Sequence, residues 1–88
     1  MIWTVIFFEE GEEPLIEEMS SFSDAWALAQ PAPEEMAVGW RTIITKQGAL
    51  EQLEADPQTS VMVARGPTSA TGYNIIRCSN PNAMETQT

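Results

Sequence analysis

Residues 1–8, MIWTVIFF, constrain the fold of this chain more than any other segment. They are β-branched and aromatic, which favours a β-strand. The apolar residues occupy both alternating positions, with Ile2 and Ile6 on one face and Trp3 and Val5 on the other. A strand that is apolar on both faces usually lies inside a sheet and is covered on both sides. We therefore predict a central strand, and a second copy of the protein is an alternative cover for one of its faces.

The next residues predict a β-hairpin. EEGEEP at 9–14 contains a glycine, which accepts positive φ angles, and a proline, which cannot continue a central strand. This segment should form a turn. LIEEMSSF should then return as the partner strand, at the edge of the sheet.

The rest of the chain predicts two short helices and three further strands. The first helix lies in SFSDAWALAQ, begins after Ser21 or Ser23, and ends at the prolines of PAP, 31–33. The second covers roughly 48–56. The strands lie in the second half of EEMAVGWRTIITK, in TSVMVAR and in YNIIRCS, and the last two form a hairpin.

The predicted order is β-β-α-β-α-β-β, which indicates an α+β domain. A mostly antiparallel sheet with two short helices on one face satisfies the rules for packed layers. A parallel pair with a right-handed crossover is the alternative. We predict one domain, residues 1–79, followed by a polar tail, residues 80–88.

The net charge of −9 lies entirely in the first half of the chain. Residues 1–40 contain nine acids and no lysine or arginine, whereas residues 41–88 contain four acids and four bases. This balance argues against direct binding of nucleic acid or of an anionic membrane, because both need clustered bases. The single cysteine cannot form a disulfide within the chain, so no oxidising compartment is indicated. The first residues also lack the basic and apolar regions of a signal peptide, and we therefore predict a soluble cytoplasmic protein.

No motif predicts catalysis, a cofactor or a metal. The chain has no histidine and one cysteine, Cys78, so the usual nucleophile–histidine pairs and zinc sites cannot form. ARGPTSATG lacks the lysine of a phosphate-binding loop, and EEGEE lacks the spacing of a calcium loop. We therefore predict a protein that is not an enzyme.

The acidic segment supports two interpretations. One is a recognition surface that binds a basic, nucleic-acid-binding protein and inhibits or regulates it by imitating the charge of nucleic acid. The other is a structural module that self-associates, as a homodimer for example, through an apolar sheet face, with the charge serving solubility. Trp3 and Trp40 are the candidate interface aromatics. The candidate contact residues are the nine acids of the first half: Glu9, Glu10, Glu12, Glu13, Glu17, Glu18, Asp24, Glu34 and Glu35.

In size, acidity, lack of catalytic motifs and α+β pattern, the chain resembles the small acidic proteins with which phages and mobile elements inhibit host nucleases, the anti-CRISPR proteins among them. The resemblance covers no aligned motif, so it assigns no residue a role. It implies that a nucleoprotein complex of a host or phage is the first partner to test.

Overall fold

The computed structural model describes residues 2–68 and 70–79, which form five strands and three helices. In chain order the elements are β1 Trp3–Glu9, β2 Leu15–Met19, α1 Phe22–Ala29, α2 Pro33–Ala37, β3 Arg41–Thr42, α3 Lys46–Ala55, β4 Ser60–Arg65 and β5 Gly72–Cys78. The predicted α+β class with a mostly antiparallel sheet is confirmed. The predicted polar tail, 80–88, lies outside the described residues.

The strands form one sheet in the order β2-β1-β5-β4-β3. β1 lies inside the sheet, as its two apolar faces predict, and β2 lies at the edge. The two predicted hairpins, β1–β2 and β4–β5, are both formed. Every described strand pair is antiparallel, so the alternative with a parallel pair is wrong.

One side of the sheet packs against α1 and α3 and forms the core. Val5, Val63 and Ile76 project from this side and are fully buried together with Leu53 of α3. We call it the helix-covered side. Burial of such side chains from water is the main term that stabilises a domain of this size.

Helix α1 begins after Ser21, one of its two predicted N-caps. The Ser21 hydroxyl oxygen accepts a 3.1 Å hydrogen bond from the backbone N–H of Asp24, which satisfies one of the free donors at the helix start. The ring of Phe22 contacts that of Trp3 edge to face, with centroids 5.3 Å apart. Ala25 and Ala29 are buried on the same face of the helix, so α1 lies close against the sheet.

The segment after α1 differs from the prediction. Pro33 begins a helix, α2, rather than leading into a strand. Proline suits the first helical position because its missing N–H is not needed there. The Glu35 carboxylate accepts a 2.8 Å hydrogen bond from the Ala32 N–H, which closes the helix start. The predicted element order therefore lacks one helix, and β3 is limited to Arg41–Thr42.

Helix α3 begins two residues before the predicted position. The Thr45 hydroxyl accepts a 3.0 Å hydrogen bond from the Gly48 N–H and caps the helix. None of the described helices is long and apolar enough to span a bilayer.

The other side of the sheet carries apolar side chains that α1 and α3 do not cover. The strand register places Ile16, Ile6, Ile75 and Met62 side by side on β2, β1, β5 and β4. Ile16 is 58% exposed and Met62 is 39% exposed, whereas Ile6 is only 8% exposed. We call this side, with the apolar row at its centre, the open face.

Candidate protein-binding surface

The acidic segment forms the turn between β1 and β2. The Glu12 N–H donates a 3.1 Å hydrogen bond to the Glu9 carbonyl oxygen, and Gly11 between them has a φ of 79°. This is the positive angle that a type II turn requires at its third position. The Glu10 N–H donates a 3.1 Å hydrogen bond to the Thr71 carbonyl oxygen, which fixes the turn against the loop between β4 and β5. The exposed glutamates of the turn therefore extend from a hydrogen-bonded backbone.

Beside the turn lies a pocket of about 190 Å³. Phe7 and Leu15, which lie opposite each other in β1 and β2, supply its apolar wall. Glu9, Glu12 and Glu13 complete the lining. We call this the hairpin-tip pocket, and the side chains of Phe7 and Leu15 belong to the helix-covered side of the sheet.

The composition of the hairpin-tip pocket matches the two parts of a lysine or arginine side chain. The hydrocarbon stem of such a residue packs on apolar surface while its charged end stays at a polar rim. Carboxylates form charge-assisted hydrogen bonds with that end, and the planar guanidinium of arginine can reach two of them at once. An uncharged apolar ligand would pack against the apolar wall. It would also remove water from the carboxylates without supplying hydrogen-bond donors in its place.

The last two glutamates of the acidic segment lie on opposite sides of β2, because successive strand residues alternate. Glu17 pairs with Val5 and therefore lies on the same side as the hairpin-tip pocket. Glu18 pairs with Thr4 and lies on the open face. The structure thus joins Glu17 to the surface around the pocket and separates Glu18 from it.

The other three predicted contact residues lie away from the turn. Asp24 is in the first turn of α1, and that helix begins at Phe22, which contacts Trp3 at the opposite end of β1 from the acidic turn. Glu34 and Glu35 belong to α2, which leads into β3 at the opposite edge of the sheet from β2. The carboxylate of Glu35 is also bound to the backbone at the start of its own helix. These residues do not extend the surface around the hairpin-tip pocket.

The basic side chains do not neutralise the turn. Within residues 2–68 and 70–79, no ion pair links a lysine or arginine to these glutamates. The Arg41 guanidinium instead donates hydrogen bonds to the carbonyl oxygens of Met36, at 2.9 Å, and Trp40, at 2.7 Å. The other three bases lie on the open face or at the start of α3: Arg65, Arg77 and Lys46.

The two candidate interface tryptophans are buried within one chain. Trp3 is 7% exposed because it packs between the sheet and α1, and Trp40 is 4% exposed beside Gly66. Neither contributes an exposed aromatic surface, which corrects the prediction made from their strand positions. The exposed large apolar side chains are aliphatic or methionine residues at several places in the described chain: Ile2, Leu15, Ile16, Leu28, Met36, Val38, Ile43 and Met62.

The part of the chain that the structure describes contains no group of three Asp, Glu or Cys side chains placed to bind a metal ion. Cys78 is buried, where a thiol acts as a small apolar residue. The Tyr73 ring stacks on that of Phe8, with centroids 4.6 Å apart.

Sequence reasoning missed Phe7 and Leu15 as pocket residues. Both appear in the sequence only as apolar strand residues, and their meeting depends on the register set by the turn. No protein-family model, curated protein or solved structure matches the chain. The functional proposal for the chain therefore rests on the hairpin-tip pocket and the charge around it.

Proposed function

We propose that this protein binds a basic protein through the hairpin-tip pocket and the surrounding glutamates, and thereby inhibits or regulates that partner. The observation that carries the proposal is the lining of the pocket, where Phe7 and Leu15 lie beside Glu9, Glu12 and Glu13. Such a lining favours a long cationic side chain over a simple cation, because only the side chain also covers the apolar wall.

The charge distribution supports the same class of partner. The first 40 residues carry no base, and the net charge of the whole chain is −9. Complementary charge steers a basic protein toward this surface and raises the rate of encounter. Physiological salt screens charges beyond roughly 8 Å, so the close contacts must come from the pocket itself.

Occupation of a basic surface explains how binding could inhibit. A partner that uses its basic surface to hold nucleic acid would lose that surface while this protein is bound. The exposed carboxylates along the turn present negative charge in series, as the phosphates of a nucleic acid do. We therefore propose a nucleic-acid mimic of the phage or mobile-element type, anti-CRISPR-like in action and working in the cytoplasm, with no catalytic step.

The test is capture of partners from an extract of the source organism by three forms of the protein. The pocket variant is Glu9→Gln, Glu12→Gln and Glu13→Gln. The control variant is Glu34→Gln, Glu51→Gln and Glu54→Gln, which removes the same charge from exposed helix positions. We expect the wild type and the control to retain a basic protein that a salt gradient releases. We expect the pocket variant to retain at least about tenfold less, the equivalent of about 1.4 kcal/mol.

Two results would contradict the proposal. Equal losses in both variants would assign binding to net charge rather than to the pocket. Equal retention by all three forms would mean that the glutamates of the turn only solvate the surface.

A further inference from the structure

β2 is an edge strand that is long and regular enough to accept a further strand. It lies at one end of the strand order, whereas the strand at the other end, β3, has only two residues. Short strands, prolines, bulges and lysines commonly keep a sheet edge from pairing with another chain. β2 contains no lysine or proline, and its register with β1 continues without a shift from Leu15 to Met19. Its outer edge is therefore open to pairing.

The hydrogen bonds of β1 show which backbone groups of β2 point outward. In an antiparallel sheet, the N–H and C=O of one residue point to the same neighbouring strand, and successive residues alternate between the two neighbours. The Ile2 carbonyl oxygen accepts a 2.9 Å hydrogen bond from the Ser79 N–H, so the even-numbered residues of β1 face β5 and the odd-numbered ones face β2. The odd-numbered residues of β2 lie opposite these and face β1. The N–H and C=O groups of Ile16 and Glu18 therefore point away from the sheet.

The side chains of β2 indicate which kind of strand fits this edge. Glu17 projects to the helix-covered side and Glu18 to the open face, so an added strand meets a carboxylate on each side. Among the described residues, neither carboxylate forms an ion pair with a lysine or arginine. Opposite charges directly across two strands stabilise the pairing, and like charges destabilise it. The edge therefore favours a strand with basic residues opposite Glu17 and Glu18.

A second copy of β2 fits this edge poorly. Each chain carries six glutamates between residues 9 and 18 and no base before residue 41. Antiparallel pairing of two copies about Glu17 would place the two Glu17 carboxylates directly opposite each other. Any other register would still bring two acidic segments together without a base to compensate them. The charge of β2 thus prevents pairing with its own copy but not with a basic strand.

We propose that a basic segment of the partner adds to the sheet as an extended strand, antiparallel to β2. This inference rests on the function proposed above and specifies how the partner binds. The residues opposite Ile16 and Glu18 exchange backbone hydrogen bonds with β2. In strand addition of this kind, main-chain hydrogen bonds supply affinity and the side chains supply specificity.

The register of the added strand connects it to the hairpin-tip pocket. The residue opposite Leu15 projects to the helix-covered side, where an arginine can extend across Leu15 to the pocket. The residue opposite Ile16 needs only to favour an extended chain. Read from its N-terminus, the partner segment therefore contains base, base, a strand-forming residue and arginine. These four residues lie opposite Glu18, Glu17, Ile16 and Leu15.

Three peptides with the sequence TRRVRT, acetylated and amidated at their ends, test the backbone pairing with the full chain. The probe is unmodified. The inner peptide carries N-methyl groups on its second and fourth residues, which lie opposite Glu18 and Ile16 and donate to β2. The outer peptide carries them on its third and fifth residues, whose N–H groups point away from β2. We expect the outer peptide to bind within about threefold of the probe, and the inner peptide at least about tenfold more weakly, because it loses two hydrogen bonds.

Hydrogen exchange locates the pairing on the protein. With the probe bound, the amides of Ile16 and Glu18 should exchange at least about tenfold more slowly, because both become hydrogen-bonded. Equal affinities for the inner and outer peptides would overturn strand addition. If binding were then still lost in the Glu9→Gln, Glu12→Gln, Glu13→Gln variant, the function proposed for the pocket would stand. Failure of both the probe and a hexa-arginine peptide to bind would overturn the two proposals together.

Discussion

The side-chain amide of Asn74 donates a 2.8 Å hydrogen bond to the carbonyl oxygen of Ala29. Asn74 is 3% exposed in the centre of β5, and Ala29 is the last residue of α1. The final carbonyls of a helix have no partner within the helix, so this contact satisfies one of them in the core. It joins the end of α1 to the middle of the sheet.

Loss of this hydrogen bond should destabilise the fold. In Asn74→Leu, the Ala29 carbonyl keeps its burial but has no donor, a change that costs about 1–3 kcal/mol. Urea unfolding followed by tryptophan fluorescence measures the free energy of unfolding. A variant as stable as the wild type would show that water or a shifted backbone satisfies this carbonyl.

Asn74→Asp should make stability depend on pH at this position. Burial beside a carbonyl oxygen should raise the pKa of the new carboxyl above its ordinary value of about 3.9. The destabilisation is then complete above the folded-state pKa and disappears below the unfolded-state pKa, where the protonated group can donate to Ala29. The difference in unfolding free energy between variant and wild type should therefore shrink from pH 7 to pH 4. A difference that stays constant would place the carboxyl in solvent.

Two glycines with positive φ should tolerate alanine very differently. A Cβ on Gly72, where φ is 145°, would lie 2.1 Å from the Phe8 carbonyl oxygen in the neighbouring strand. Gly72→Ala should therefore cost at least about 3 kcal/mol, because the strand pair must separate. A Cβ on Gly11 meets nothing within 4 Å, so Gly11→Ala should cost only about 1 kcal/mol for its φ of 79°. Equal urea midpoints for the two variants would contradict this placement of β1 against β5.

Leu15 and Ile16 provide a matched pair for the hairpin-tip pocket. They are adjacent and almost equally exposed, at 57% and 58%, but project to opposite sides of β2. Leu15→Asn should weaken partner binding about tenfold, because Leu15 lines the pocket. Ile16→Asn should leave partner binding unchanged, and each variant should unfold within about 0.5 kcal/mol of the wild type. Calorimetry with the captured partner measures the effect. Equal weakening by both substitutions would mean that binding does not depend on the side of β2 that carries the pocket.

The strand pattern could be predicted from the sequence because it depends on local alternation. Residues 1–8 are apolar at both alternating sets of positions, which indicates an interior strand. Gly11 and Pro14 together indicate the turn. Ser21 is one of two candidate N-caps, and it caps the helix because its hydroxyl accepts a hydrogen bond from the backbone N–H of Asp24, three residues later. Each of these features involves residues that are near one another in the chain.

The features that the sequence did not reveal depend on contacts or on position within an element. A proline at position 33 is compatible with the end of one helix or with the start of another. The hydrogen bond from the Ala32 N–H to the Glu35 carboxylate stabilises the start of a new helix. The meeting of Phe7 with Leu15 follows from the strand register, so the pocket could not be inferred from composition. In the sequence, the nine acids form one group because they all lie in the first half of the chain. In the structure, Glu34 and Glu35 belong to α2, which leads into β3 at the edge of the sheet opposite β2.

The most direct test of the central claim is an NMR titration of the protein with a hexa-arginine peptide, read at each backbone amide. We predict that the amide shifts concentrate in residues 7–17 and weaken as salt is raised. They should nearly vanish in the Glu9→Gln, Glu12→Gln, Glu13→Gln variant and persist in the Glu34→Gln, Glu51→Gln, Glu54→Gln variant of equal charge. Shifts spread over all the acidic positions, or reduced equally in both variants, would show that the protein attracts bases by net charge alone and would contradict a binding site at the hairpin tip.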